Sequence, residues 1–355
     1  MDVGGLLAAW GLPAGAHLAP LVGGHINTTY RVTLPGQPES WLLQRLNPVV
    51  FPDGLAVLRN MAAVTAHLAR AAAARGEDPA RTVLSLLPTA GGGPGHQAGD
   101  GAWWRLLRFI PGARAVEHAT APDQAFEAGR AFGRFHALMA GYAGAPLTET
   151  LPGFHDTAGR YDALTRAVAA AGDDRRAVTA QEVEFAVSRR HLATQLTAPL
   201  AGGVLPGRIA HNDAKIANVL LELDSGRALA VVDLDTVMPG TPLFDVGDLI
   251  RSLTGTTPED HPDPTDVELR PAFFAALAEG FLGAGALGTA ERARFVTAGL
   301  VITYEQGLRF LTDFLEGDRY YRTTRPGQNL DRARVQFALV RALEAHRPAL
   351  EQLVR

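Results

Sequence analysis

Cysteine is absent from the 355 residues, and lysine occurs once. Without a thiol there can be no disulfide, no thiolate metal site and no cysteine nucleophile. Of the 33 basic side chains, 32 are arginine and the exception is Lys215, while asparagine appears only six times. Glycine (38) and proline (23) are plentiful, as is alanine. That is the bias of a GC-rich coding sequence, and a lysine kept against it is a candidate for chemistry. A basic surplus is also missing: the net charge of -4 argues against a nucleic-acid partner. No apolar run is long enough to span a bilayer. The N-terminus opens Met1-Asp2 with no basic region and only a short apolar patch before Pro13. No signal peptide or membrane partner is therefore expected, and the expected location is cytoplasmic. What is present, 47% hydrophobic and 20% charged residues, describes a globular chain able to bury a large core.

The pattern along the chain predicts an α+β fold. Strands are expected at His25 to Leu34, Trp41 to Leu46, Thr82 to Leu87 and Trp103 to Ile110, with one amphipathic helix from Gly54 to Arg75. After Pro111-Gly112 the periodicity turns helical: Pro122 to Met139, Thr157 to Ala171, Thr179 to Leu196, Leu269 to Leu282, Thr289 to Leu315 and Leu330 to Leu353. A β interruption covers Arg208 to Asn212, Val219 to Leu223 and Ala228 to Leu234, and the acidic loop Thr254 to Asp266 is expected to be mobile. The expected division is a small β-rich nucleotide-binding lobe at 1–107, a hinge at 108–112 and a larger, mainly helical lobe at 113–355, with a cleft between them.

The most informative stretch is His211-Asn212-Asp213-Ala214-Lys215-Ile216-Ala217-Asn218, followed by Val231-Val232-Asp233-Leu234-Asp235. Its His, Asp and Asn match the offsets of the kinase signature H-R-D-L-x-x-x-N, and a metal-binding Asp follows after a hairpin. The spacing suits phosphoryl transfer. Asp213 would orient an acceptor hydroxyl and take its proton. Asn218 and Asp233 would offer hard oxygens to Mg2+ ions bridging nucleotide phosphates. Gly23-Gly24-His25-Ile26-Asn27 could let backbone N–H groups approach those phosphates, or be an ordinary Gly-Gly turn.

On these residues the chain resembles the aminoglycoside phosphotransferase and choline kinase-like superfamily, with its protein-kinase-like two-lobe fold. Within it, the chain looks like the N-acetylhexosamine 1-kinase group of anomeric sugar kinases. The matching stretches are GGHINTTYRV, WLLQRLNPVVF, WRLLRFIPGA, HNDAKIANVLLE, VVDLDTVMPG, FDVGDLIR and GLRFLTDFLEGDRYY with PGQNLDRARVQF. The resemblance implies an ATP- and Mg2+-dependent kinase with Asp213 as catalytic base, Asn218 and Asp233 at the metal, and Gly23, Gly24, His25 and Asn27 over the nucleotide. It also implies that the hinge, with Phe109 and Ile110, faces adenine through its backbone, and that Asp245 and Asp248 brace the catalytic loop. Lys215, two residues past Asp213, is the expected cation for the transferring phosphoryl group.

The chain departs from the protein-kinase pattern at the third strand, where Gln44 stands in place of the Lys. The helix Gly54 to Arg75 holds no Glu to pair with one. Gln44's amide and magnesium are candidates for holding the α-phosphate. Asp235 could be a second metal ligand, a sugar-hydroxyl acceptor or a structural acid. Arg309, with Tyr304 or Tyr321 as a stacking wall, could bind sugar oxygens, or pair with Glu305 on the helix surface. Asn329 could recognise sugar or cap the last helix. His136 reads as a core histidine. The partners expected are thus a nucleotide and a small-molecule sugar. The alternatives are a kinase of another small alcohol, such as an aminoglycoside, choline-like amine or homoserine, and a catalytically weak nucleotide- or sugar-binding protein.

Overall fold

The computed structural model describes residues 3–13, 15–21 and 26–355. The chain forms two compact units, the first made of Met1–Ala115, Leu138–Pro152 and Asn218–Pro239, the second of Val116–Ala137, Gly153–Ala217 and Gly240–Arg355.

The first unit is built on an antiparallel sheet. Its strands are β1 (His17–Leu21), β2 (Thr28–Thr33), β3 (Ser40–Arg45), β4 (Leu86–Leu87), β5 (His96–Gln97) and β6 (Trp103–Arg108). They lie in the order β1-β2-β3-β6-β4, with β5 also paired to β6. Alternation assigns the two faces. Trp41, Leu43, Trp104 and Leu106 join Leu6, Leu7, Val32 and Leu34 in one apolar cluster. Arg105, from the opposite face of β6, lies against Met61 of the helix Gly54–Ala73. That helix begins where Asp53 accepts a hydrogen bond from the Ala56 N–H at 2.9 Å. A second small sheet joins β7 (Ala113–Arg114), β9 (Val219–Glu222) and β10 (Ala228–Val231) in the order β10-β9-β7.

One strand here was not expected, and two expectations change. Strand β1 carries no alternating pattern and contains Pro20, which suits only an edge position, so its sequence signal is weak. Of the strand expected at Thr82 to Leu87 only Leu86–Leu87 pairs, because Pro79–Thr82 forms a helical turn capped by Asp78. The strand expected from His25 to Leu34 is β2, Thr28–Thr33.

The second unit is helical, with Pro122–Met139 (to Ala137 in this unit), Thr157–Ala170, Pro242–Leu253, Pro271–Gly283, Phe295–Glu316 and Gln328–Leu353 as its main elements. Strand β8 (Arg208–Ala210) leads into the His211–Asn218 segment. The expected helix Thr179 to Leu196 forms as Ala180–Ser188 and a 3-10 turn at Arg190–Thr194, with a separate short helix, Asp173–Val178, before it. Thr179 sits at the break with its hydroxyl bonded back to the Arg175 carbonyl at 2.7 Å, the competition with helical bonding that Thr offers. The helix expected from Thr289 to Leu315 likewise splits, into Thr289–Arg292 and Phe295–Glu316. Helix Pro242–Leu253 was not among the expected helices: Asp245, Asp248 and Arg251 recur every three residues along it, but they are paired within the protein, so the polar stripe is not a solvent face.

Glycine sets one of the helix contacts. A Cβ at Gly129 would lie 2.3 Å from the Leu277 carbonyl oxygen, and one at Gly280 2.2 Å from that of Phe126. The acidic loop Thr254 to Asp266, expected to be mobile, is tied down. Gly255 bridges Leu269, Glu259 pairs with Arg251 at 2.7 Å, and Asp260 receives bonds from Arg325 and Gln328 at 2.6 and 2.7 Å.

Candidate active site

In the first unit, the β9–β10 hairpin aligns two of the expected metal ligands. Val219 pairs with Val231, and the Val232 N–H donates to the Asn218 carbonyl at 2.9 Å. Asn218 and Asp233 therefore leave the same end of one ladder. Asn218 is buried, and Asp233 holds a left-handed backbone, φ 62° and ψ 56°. A non-glycine residue kept in that region marks a position the surrounding structure insists upon. The donor set is one carboxylate and one amide oxygen, hard ligands that fit Mg2+, which takes one or two protein oxygens and leaves the rest to phosphate and water.

Asp235, two residues on, is buried and engaged on both oxygens: Oδ1 pairs with Arg105, and Oδ2 accepts the Asn27 amide N–H at 2.6 Å. Asn27 also accepts the Asn47 N–H at 3.0 Å, so it fastens the start of β2 to two distant segments. Gln44 is engaged within the sheet, donating one amide N–H to Thr29 Oγ1 at 3.0 Å and accepting from Arg105 Nε at 2.8 Å. One of its two amide N–H groups is thus committed to the sheet. Phe109 spends its N–H on the Ser40 carbonyl at 3.0 Å, under the Arg31 guanidinium 4.3 Å from its ring. Of the expected hinge groups, its carbonyl and the backbone of the buried Ile110 are the ones that could face an adenine. Gly23, Gly24 and His25 lie outside the described residues.

In the second unit, the loop carrying Asp213 hangs on one carboxylate. Asp245, fully buried on helix Pro242–Leu253, accepts the His211 N–H at 2.8 Å and the Asn212 N–H at 2.7 Å, while His136 Nε2 lies 2.7 Å from its Oδ2. Burial pushes the Asp245 carboxyl up, but His136 and His211 outweigh it and hold the group below the usual carboxylate range. His136 is indeed a satisfied core histidine, and its partner is the acid that shapes the loop. Asn212 is left-handed at φ 67°, which turns the chain so that Asp213 and Lys215 pair at 3.0 Å, both partly exposed. Asp248, expected to brace the loop by accepting backbone N–H groups, instead pairs with Arg251 at 2.7 Å. Burial raises its carboxyl, the nearby charge of Asp213 adds to the rise, and Arg251 opposes it.

A second polar system reaches the same loop. His155 lies between Glu305, 2.9 Å from its Nδ1, and the Asn212 carbonyl, 3.3 Å from its Nε2. Glu305 is buried rather than a surface partner of Arg309, and also accepts the Thr157 hydroxyl at 2.5 Å. Burial would raise it, but His155 and Thr157 hold it below its usual range. One residue before His155, the Phe154 ring carries the Arg309 guanidinium 5.4 Å from its centroid, and Tyr321 lies 5.6 Å away on another side. Arg309 also donates to Gln306 at 3.0 Å.

Two expected substrate residues sit elsewhere. Tyr304 is fully buried, gives its hydroxyl to the Ala186 carbonyl at 2.7 Å and packs near Phe337, so it is a core tyrosine. Asn329 is fully buried inside the last helix, whose N-cap is Gly327, and donates to Asp313 and Asp318 at 2.9 Å each. Asp313 in turn accepts the N–H groups of Arg319, Tyr320 and Tyr321 at 2.8–2.9 Å. Asn329 therefore shapes the turn that presents Tyr321. Sequence reasoning missed Arg105 and His155. A charged residue inside the strand run WRLLR was the available sign of the first, and nothing local marked the second.

An antiparallel sheet with one packed helix, a helical unit, and a His-x-Asp loop with an Asn and an Asp beyond it define a phosphotransferase of protein-kinase-like fold. A family model described as the phosphotransferase enzyme family matches residues 17–296, and the chain belongs to that family. The fold is similar to the microcompartment-associated aminopropanol kinase, with TM-score 0.60, 16% identity and 98% of each chain covered. It is also similar to an aminoglycoside phosphotransferase from Alicyclobacillus acidocaldarius, with TM-score 0.58, 15% identity, and 99% and 95% of the two chains covered. A choline kinase from Cryptosporidium parvum gives TM-score 0.57, 10% identity, and 99% and 96% coverage. Among the described residues, no helix is long and apolar enough to cross a membrane.

Proposed function

We propose that the chain is an ATP- and Mg2+-dependent sugar kinase acting on the anomeric hydroxyl of a hexose or N-acetylhexosamine. In this reading Asp213 orients that hydroxyl and takes its proton as the oxygen bonds to the γ-phosphorus. The β–γ bridging P–O bond breaks, ADP leaves, and the sugar 1-phosphate is the product. Asn218 and Asp233 hold the metal, which supplies charge neutralisation on the phosphates. Lys215, paired with Asp213, carries a compact, mobile positive charge to the transferring group.

The observation that carries the acceptor class is the link between Arg309 and the catalytic loop. His155 touches the residue before Asp213, and its neighbour Phe154 lies beneath Arg309. A half-buried guanidinium beside two aromatic rings suits sugar oxygens and a sugar's apolar face. It repels the ammonium of an amino alcohol. Burial tends to lower the Arg309 guanidinium, but Tyr321 and Glu305 raise it further, so the repulsion persists at any working pH.

The test is an ATP-consumption screen over hexoses, N-acetylhexosamines, amino alcohols and aminoglycosides, followed by a reducing-end assay of any product. Loss of the reducing end supports anomeric phosphorylation. Turnover confined to amines would overturn the sugar reading. In the same assay Asp213→Asn should lower kcat by about 10²- to 10⁴-fold, the range of a general base. Unchanged turnover would remove Asp213 from that role.

A further inference from the structure

Strand β6 buries an arginine. Arg105 is 1% exposed, stands opposite Gln44 in the β3–β6 ladder, and directs Nε to Gln44 and Nη1 to Asp235. Met61 of helix Gly54–Ala73 closes the site, its sulfur 3.6 Å from Nη1. Asn27 completes the set on the other oxygen of Asp235. The result is a continuous chain, Thr29–Gln44–Arg105–Asp235–Asn27, buried at Arg105 and Asp235 and partly buried elsewhere, running from β2 through β3 and β6 to the segment after Asp233.

A buried ion pair is poor value as cement. Desolvating both charges is costly, and an apolar pair of similar volume serves stability as well or better. Its retention here calls for a reason of position. The protein kinase pattern places a cation on the third strand and a carboxylate on the helix. This chain has Gln44 at the first place and no Glu on helix Gly54–Ala73. Its cation sits one strand over, and its carboxylate comes from the Asp233–Asp235 segment.

We infer that the Arg105–Asp235 pair replaces the missing strand–helix pair and acts as the positioning device for the metal ligand Asp233. The pair pins Asp235 to the sheet, and with it the 3-10 turn Leu234–Thr236 that begins at the left-handed Asp233. Arg105 is thus a positioning residue that works through Asp235. Asp235 is its anchor, and the metal ligands are Asn218 and Asp233. This rests on the reading of those two residues as ligands for nucleotide-bound Mg2+.

The experiment measures binding of ADP with and without Mg2+ by calorimetry, alongside thermal midpoints, in the full-length chain. Wild type should bind MgADP more tightly than ADP. If it does not, the metal-site reading fails, whatever the variants do. Arg105→Met and Asp235→Asn should each weaken MgADP at least tenfold and change metal-free ADP less than twofold. The double variant Arg105→Met with Asp235→Leu should regain the wild-type midpoint and stay weak for MgADP, which separates positioning from stability. Arg105→Lys, with charge but shorter reach, should fall between wild type and Arg105→Met. Recovery of both midpoint and MgADP affinity in the double variant would overturn the inference. So would a loss of MgADP affinity in Asp235→Asn with none in Arg105→Met and Arg105→Lys, which would make Asp235 itself a ligand. Should Arg105→Met fail to fold, the double variant and Arg105→Lys decide the matter alone.

Discussion

Two segments of this protein carry the proposed site residues, and each is fixed by a buried aspartate in a different way. Asp245 holds the Asp213 loop by its backbone, accepting the N–H groups of two consecutive residues. Asp235 holds the Asp233 segment by its own side chain, through Arg105 and Asn27. The difference matters for what each can tolerate. A side-chain pair can be removed as a pair, leaving apolar atoms behind. Backbone N–H groups cannot be removed, and a buried donor without an acceptor keeps its full desolvation cost.

The largest effect should come from breaking the backbone anchor. Asp245→Ala strands the His211 and Asn212 N–H groups together with His136 and should cost about 3–5 kcal/mol, the penalty for removing one side of a buried polar pair. Denaturant unfolding would measure it. Replacing both partners, as Asp245→Leu with His136→Phe, should not restore stability, whereas the apolar replacement of Arg105 and Asp235 should. Equal rescue in both regions would erase the distinction.

Acid sharpens the same contrast. Asp245 and Glu305 are both held below their unfolded values. A depressed carboxylate stabilises the fold above its unfolded pKa and loses that contribution as pH falls through the folded value. Stability should therefore drop as pH is lowered below about 4. Glu305→Gln should flatten the slope of unfolding free energy against pH in that range, and an unchanged slope would show that Glu305 does not titrate there.

Smaller effects belong to the partly exposed groups. Lys215→Arg keeps the charge beside Asp213 but replaces a flexible ammonium with a planar fork, and should lower kcat by about tenfold or more without moving the thermal midpoint. Arg309→Met should raise the acceptor KM several-fold and leave the nucleotide KM unchanged. A change in the nucleotide KM instead would move Arg309 out of the acceptor's surroundings.

Much of this was legible in the sequence because it depends on local spacing. The helix from Pro122 to Met139 follows from its period to the residue, and the hairpin that aligns Asn218 with Asp233 follows from a turn between two strand-like runs. Helix Pro242–Leu253 was not read as one, since its polar stripe of Asp245, Asp248 and Arg251 faces partners inside the protein and looks like a site motif rather than a solvent face. Site residues divide along the same line. The Asp213 loop is one contiguous motif. The partner of Asp235 comes from a strand 130 positions away, and that of Asn212's carbonyl from a histidine 57 away. Tyr304 and Asn329 misled for a related reason: a polar residue on a long helix looks available until its neighbours' partners are known. The hydroxyl of Tyr304 belongs to Ala186 and the amide of Asn329 to Asp313.

Lys215 is the single ε-amine in 355 residues, about one-third exposed and 3.0 Å from Asp213. The composition that makes lysine scarce therefore leaves one side-chain address for amine-directed reagents, and that address lies in the loop that carries Asp213. A fluorophore ester or an acylating probe would mark this loop without any engineered cysteine. The extent of labelling at Lys215, read apart from that at the α-amino group, would report whether the loop is covered.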